Sequence, residues 1–180
     1  MVQLDPRIRR TRQLLQQALG KLLEKKEFDD ISIQDIADAA TVNRATFYDH
    51  YNDKFELLAC TVGCRFQELL AERQVQFESN CASELRTLVL AVCDYLSNFK
   101  RRMEPHMESA MITAVREILL SGLRRHSPES AIAPEMIAAS ASWAIYGAAK
   151  EWVETPDRCS SEEIADTVAK LVAPVLRPAS

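Results

Sequence analysis

The sequence predicts an all-α protein. Only 4 of its 180 residues are glycine, apolar residues recur at intervals of three and four, and no alternating strand runs separated by Asn-Gly or Asp-Gly turns are visible. At this length the chain can bury a core of its own. It reads as a small head, residues 1–52, followed by a larger helical body, residues 53–180.

The head is expected to hold three helices. Asp5 and Pro6 form an N-cap and first-position pair for the first, whose apolar face of Leu15, Ala18, Leu19, Leu22 and Leu23 runs to about Lys26. Phe28 and Ile31 then close the gap to the next helix. Ser32 with Asp35 is a weaker form of the Ser-x-x-Glu capping box. Beyond it Ile33, Ile36, Ala37 and Ala40 make a narrow apolar stripe, while Gln34, Asp35 and Asp38 face out.

After Thr41 and Val42, Asn43 caps a third helix in which Phe47 and Tyr51, one turn apart, anchor inward. Arg44, Ala45, Thr46, Tyr48 and His50 project from its other sides, where a guanidinium, a small residue, a hydroxyl and a phenol can meet bases and phosphates. Asp53 with Glu56 caps the following helix and puts Lys54 in its first turn. A cation is unfavourable there unless an anion lies opposite, so Lys54 is the first phosphate candidate. Two short helices, a tight turn and a third helix start form a device for laying one helix in a DNA groove.

The net charge of −4 is unusual for a nucleic-acid binder, so its distribution matters. Up to Lys54 nine basic residues balance nine acidic ones, and the deficit lies entirely beyond. Arg7, Arg9, Arg10 and Arg12 crowd the start of the first helix, where they can reach a phosphate strand or a minor groove. A solvated charge run is the plainer reading; the neighbouring helix-turn-helix favours DNA.

The stretch Ile36-Ala37-Asp38-Ala39-Ala40-Thr41-Val42-Asn43-Arg44-Ala45-Thr46-Phe47-Tyr48-Asp49-His50-Tyr51-Asn52-Asp53-Lys54 resembles the pattern I-A-x-x-A-G-V-S-x-G-T-F-Y-x-H-F-x-x-K of the tetracycline-repressor (TetR) family. Thr41 and Ala45 stand where that pattern usually has glycine. Thr41 suggests a turn made without the left-handed conformation glycine allows. Ala45 offers a methyl group to a thymine methyl. The resemblance implies that Gln34 and Arg44 read bases, while Asn43, Thr46, Tyr48, His50 and Lys54 mainly meet phosphate or sugar. It further implies a regulator, expected to be a ligand-responsive repressor acting on a palindromic operator as a homodimer through its last two helices.

Along the body, the helix opening at Asp53 should run to about Gln76 as a lever. A break near Ser79-Asn80 separates it from a helix with the stripe Leu85, Leu88, Val92, Leu96, Phe99 and Met103. Pro105 opens another, with Met107, Met111, Val115, Ile118 and Leu119, ended by Gly122 and Ser127-Pro128; residues 127–134 read as a loop. A helix from about Glu135 to Val153 has the stripe Ile137, Ala141, Ala144, Ala148 and Trp152. After Thr155-Pro156-Asp157, Ser160 with Glu163 caps a last helix carrying Ile164, Val168, Leu171 and Val175 and ending about Pro174. So apolar a final pair needs a cover, and a second copy would make a four-helix interface. Completion of the monomer core is the other reading.

The family's bodies hold a small-molecule pocket, and Phe66, Phe99, Met103, Met107, Met111 and Trp143 are its candidates here, because aromatic and thioether groups suit a malleable cavity. The same residue types also fill ordinary cores. Among five scattered cysteines, Cys60 and Cys64 share a helix face and suit a soft metal or an oxidant, or simply packing. Glu104, His106 and Glu108 alternate along a helix and do not face one another, so no metal site is expected.

No cofactor motif, nucleophile–base pair, glycine-rich phosphate loop or HExxH pattern is present, which argues against an enzyme. No signal peptide and no run near the roughly 18 apolar residues of a membrane span are visible, so a cytoplasmic location is expected. The competing reading is a co-activator or assembly protein of the same fold whose body binds another protein.

Overall fold

A computed structural model describes residues 5–73, 82–98, 104–126 and 132–176, and these are helical throughout their regular structure. The helices are α1 (Pro6–Leu23), α2 (Ile33–Ala40), α3 (Arg44–Tyr48), α4 (Lys54–Glu72), α5 (Ala82–Ser97), α6 (Pro105–His126), α7 (Pro134–Glu154) and α8 (Ser161–Leu176). Two compact units result, Met1–Cys64 and Arg65–Ser180, with α4 beginning in the first and continuing into the second.

In the first unit the caps follow from the local chemistry. The Asp5 carboxylate accepts from the Arg7 amide at 2.8 Å ahead of Pro6. At α2 the box is complete: the Asp35 amide donates to Ser32 Oγ at 3.1 Å, and the Ser32 amide donates to Asp35 Oδ2 at 2.9 Å. Helix α1 stops at Leu23, short of Lys26, because the Lys25 and Lys26 amides both turn back to the Leu22 carbonyl. Leu15, Leu19, Phe28, Ile31, Ile36, Phe47, Tyr51, Leu57 and Leu58 form a shared core, each at most 1 % exposed.

The turn between α2 and α3 departs from expectation. Thr41 takes the left-handed conformation, φ 56° and ψ 44°, although it is β-branched and its neighbours offer no glycine. The Val42 amide donates to the Ala37 carbonyl at 3.0 Å and the Thr41 amide to Asp38 at 3.1 Å, so the helix end closes as a Schellman motif. Satisfying those carbonyls outweighs the steric cost to threonine.

In the second unit α5 is buried on nearly every side, through Leu85, Leu88, Val89, Leu90, Ala91, Val92, Cys93, Tyr95 and Leu96. It packs against α7 and α8, while α6 packs against α7 and α7 against α8. The expected break near Ser79-Asn80 and the residues Phe99 and Met103 lie outside the described residues. Gly122 does not end α6, which continues to His126.

Helix α8 opens with the Ser160–Glu163 box and runs through Pro174 to Leu176, further than expected. A proline this close to the end removes one bond of a ladder that is already terminating, and Leu176 is buried. No described helix is long and apolar enough to cross a membrane.

Candidate nucleic-acid interface

The exposed side of α3 is set by what lies beneath it. Phe47 and Tyr51 are buried with ring centroids 6.0 Å apart, and the Tyr51 amide donates to the Phe47 carbonyl at 2.9 Å, carrying the helical turn past Tyr48. With that face anchored, Asn43, Arg44, Ala45 and Tyr48 are exposed, and Thr46 and His50 half-buried. Tyr48 keeps 47 % of its surface in solvent, a large aromatic with no core role.

Local bonds pre-arrange several of these groups. Arg44 Nη2 donates to Tyr48 Oη at 3.3 Å, and its Cζ lies 5.8 Å from the Tyr48 ring centroid, so guanidinium and phenol stand together. The Asn43 side-chain oxygen accepts from the Ala45 amide at 2.9 Å, which makes Asn43 the N-cap of α3. On α2, exposed Gln34 donates to Asp38 Oδ1 at 2.8 Å.

Lys54 is placed otherwise than its sequence position suggested. Its Nζ donates to the carbonyl oxygens of Phe28, Asp29 and Ile31 at 2.9, 3.1 and 2.9 Å, and lies 4.6 Å from the Phe28 ring centroid. Three acceptors match the three ammonium protons. The anion-like partner at the start of α4 is therefore the carbonyl cluster after α1, supplied by the protein itself.

The arginine cluster also divides. Arg7, Arg9 and Arg10 are exposed, whereas Arg12 turns inward, its Cζ 4.5 Å from the Tyr51 ring centroid and its Nη2 3.7 Å from Cys60 Sγ. Spacing could not distinguish them, because only the position of Tyr51 decides which arginine has an aromatic face to cover.

Residues 15–60 of this helix-turn-helix unit match the family model described as bacterial regulatory proteins, tetR family. This segment is similar to the helix-turn-helix unit of the tetR family. A 57-residue stretch is 51 % identical to the uncharacterized HTH-type transcriptional regulator YxbF of Bacillus subtilis (strain 168), covering 31 % of this chain and 15 % of YxbF. The chain thus spans only a small part of that relative's length.

Solved structures resemble it along nearly its whole length. A TetR transcriptional regulator from Streptococcus agalactiae superposes with TM-score 0.55 at 20 % identity over 92 % of this chain and 95 % of that one. RolR in complex with resorcinol superposes with TM-score 0.59 at 12 % identity over 94 % of both. At these identities the likeness concerns the fold.

In the second unit, Phe66, Met107 and Met111 are buried, and Phe66 meets Tyr95 edge-to-face at 6.3 Å. Trp143, expected with them, is instead 64 % exposed. Helix α7 has two apolar sides, and periodicity alone does not say which one faces its own chain. The inward side is Ile137, Ala138, Ala141, Ile145, Ala149 and Trp152; Ala144 is exposed.

Sequence reasoning also missed a polar group beside the methionines. Lys150 on α7 donates to Glu108 Oε1 on α6 at 2.5 Å, and burial together with the bonded Glu108 carboxylate pushes the Tyr146 phenol well above its ordinary range. The three residues lie at separations in sequence that only the packing of α6 on α7 brings together.

Proposed function

We propose that the protein is a cytoplasmic transcriptional regulator, a ligand-responsive repressor that binds a palindromic operator as a homodimer. Its division of labour falls at the start of α4: residues 1–52 bind DNA and residues 53–180 sense an effector and dimerise. The carrying observation is the outward face of α3, where Arg44, Ala45 and Tyr48 stand exposed above buried Phe47 and Tyr51. Arg44 and Gln34 read base edges in this scheme, Ala45 meets a thymine methyl, and Asn43, Thr46, Tyr48 and His50 fix the register on phosphate and sugar.

One recognition helix of five residues reads few base pairs, so affinity requires two half-sites. The exposed apolar side chains of α7 and α8 support a second copy as the cover: Met136 at 65 %, Trp143 at 64 %, Leu171 at 71 % and Val175 at 48 %. Aromatic and aliphatic groups this exposed mark association surfaces. Gly147 lies in the same α7 segment as Trp143, and a methyl added there would meet nothing within 4 Å of its own chain.

The effector reading rests on buried Phe66, Met107 and Met111, and takes Glu108, which follows Met107 on α6, with Tyr146 and Lys150 as its polar handles. A small molecule shifts DNA binding only if it prefers the spacing of the two heads that DNA does not accept. RolR, of the same fold, is known with resorcinol bound, which supports a small organic effector. A genomic fragment pull-down with sequencing tests the proposal: enrichment of fragments sharing an inverted repeat is expected, and enrichment of none contradicts it.

A further inference from the structure

Cys60 and Cys64 sit one turn apart on α4, neither in a disulfide, Cys60 half-buried and Cys64 exposed. Both sulfurs face the same helix. Arg12 Nη2 of α1 lies 3.7 Å from Cys60 Sγ and Gln16 Nε2 of α1 lies 3.7 Å from Cys64 Sγ, so a pair four residues apart on one helix meets a pair four residues apart on the other. Gln16 Nε2 also lies 3.2 Å from Tyr51 Oη, and Arg12 covers the Tyr51 ring. The two thiols are thus set into the contact that fixes α1 within the DNA-binding head.

We infer that Cys60 and Cys64 form a two-thiol site for a soft trivalent electrophile, a monosubstituted arsenical of the R–As(III) class. Neighbours at i and i+4 on a helix are close enough to bind one atom jointly. Sulfur is the ligand of choice for soft centres, and the thiolate is the attacking form. Among the described residues no group of three or more His, Cys, Asp and Glu could hold a metal ion, so a centre satisfied by two sulfurs fits and a tetrahedral zinc does not.

With R–As=O, two As–S bonds form and the As=O bond breaks. The oxygen leaves as water with the two thiol protons, and arsenic stays trivalent. Bridging draws both sulfurs toward one atom and away from Arg12 and Gln16, loosening the seat of α1. DNA binding then falls, a step that rests on the DNA-binding reading above; formation of the adduct does not. Cys93 is a poor competitor, buried in α5 with its thiol pushed up to about 11 by that burial.

The test uses the full-length protein and phenylarsine oxide. Intact-mass measurement should show one phenylarsenic group per chain with loss of two titratable thiols, resistant to excess 2-mercaptoethanol and removed by a dithiol. Cys60→Ser and Cys64→Ser should each abolish the resistant adduct, with circular dichroism confirming the fold, whereas Cys81→Ser, Cys93→Ser and Cys159→Ser should retain it. On duplexes selected by the untreated protein, the adduct should weaken binding tenfold or more, an effect absent in Cys64→Ser. A resistant adduct surviving in Cys60→Ser or Cys64→Ser overturns the site. Full adduct with unchanged affinity for DNA that the untreated protein binds overturns the coupling.

Discussion

The ammonium of Lys54 lies 2.9 Å from the carbonyl oxygen of Phe28 and 4.6 Å from the centre of the Phe28 ring, tying the start of α4 to the chain leaving α1. With Asp29 and Ile31 completing its acceptors, this lysine orders the joint between α1 and α2. Lys54→Met should therefore destabilise the head by about 2 kcal/mol, the scale of lost charged hydrogen bonds. Urea unfolding measures it. The salt dependence of DNA binding should keep its slope, since no phosphate contact is removed.

Thr41 predicts the opposite sign. A β-branched residue held at φ 56° is strained by about 1 kcal/mol or more. Thr41→Gly should raise stability by up to about 1 kcal/mol, net of the greater freedom glycine has when unfolded. A thermal melt with unchanged helical content checks this.

The α2 cap makes the head acid-sensitive. Ser32, through its hydroxyl and its amide, and then Lys26 hold the Asp35 carboxyl down at about 2, below the usual aspartate range. A depressed carboxylate contributes stability that is present above the unfolded value and lost as pH falls through the folded one. Asp35→Asn should thus be less stable than the parent at neutral pH, and the difference should shrink between about pH 4 and pH 2 in unfolding curves across that range.

The α7–α8 surface gives a test of assembly. Trp143→Ala should weaken self-association by about 2 kcal/mol, some 30-fold in Kd, as expected for an aromatic anchor. Sedimentation across a dilution series measures it. Trp143 emission should also shift to the red on dilution, while buried Trp152, whose Nε1 donates to the Cys159 carbonyl at 2.8 Å, holds steady.

What the sequence displays and what it hides divide along physical lines. Caps at Asp5, Ser32, Asn43, Asp53 and Ser160 are local, made within three residues, and were readable. So were the anchors Phe47 and Tyr51, since one helical turn determines their common face. Lys54, Arg12 and Tyr146 were not readable, because their partners lie 23 or more residues away in Ile31 and Phe28, 39 in Tyr51 and 38 in Glu108. Trp143 failed for another reason: a helix with apolar residues on both sides carries no mark of which side meets its own chain.

The α3 face itself is tested most directly by hydroxyl-radical footprinting on the duplex that the protein selects from genomic fragments, using the parent and Arg44→Ala. Two protected patches are expected on one face of the duplex, related by a twofold axis and separated by a multiple of about 10 base pairs. Arg44→Ala should lose about 1 to 3 kcal/mol of affinity and tolerate base changes in each half-site. A single unpaired patch, or an Arg44→Ala footprint and affinity matching the parent, would contradict the DNA-reading role of the α3 face.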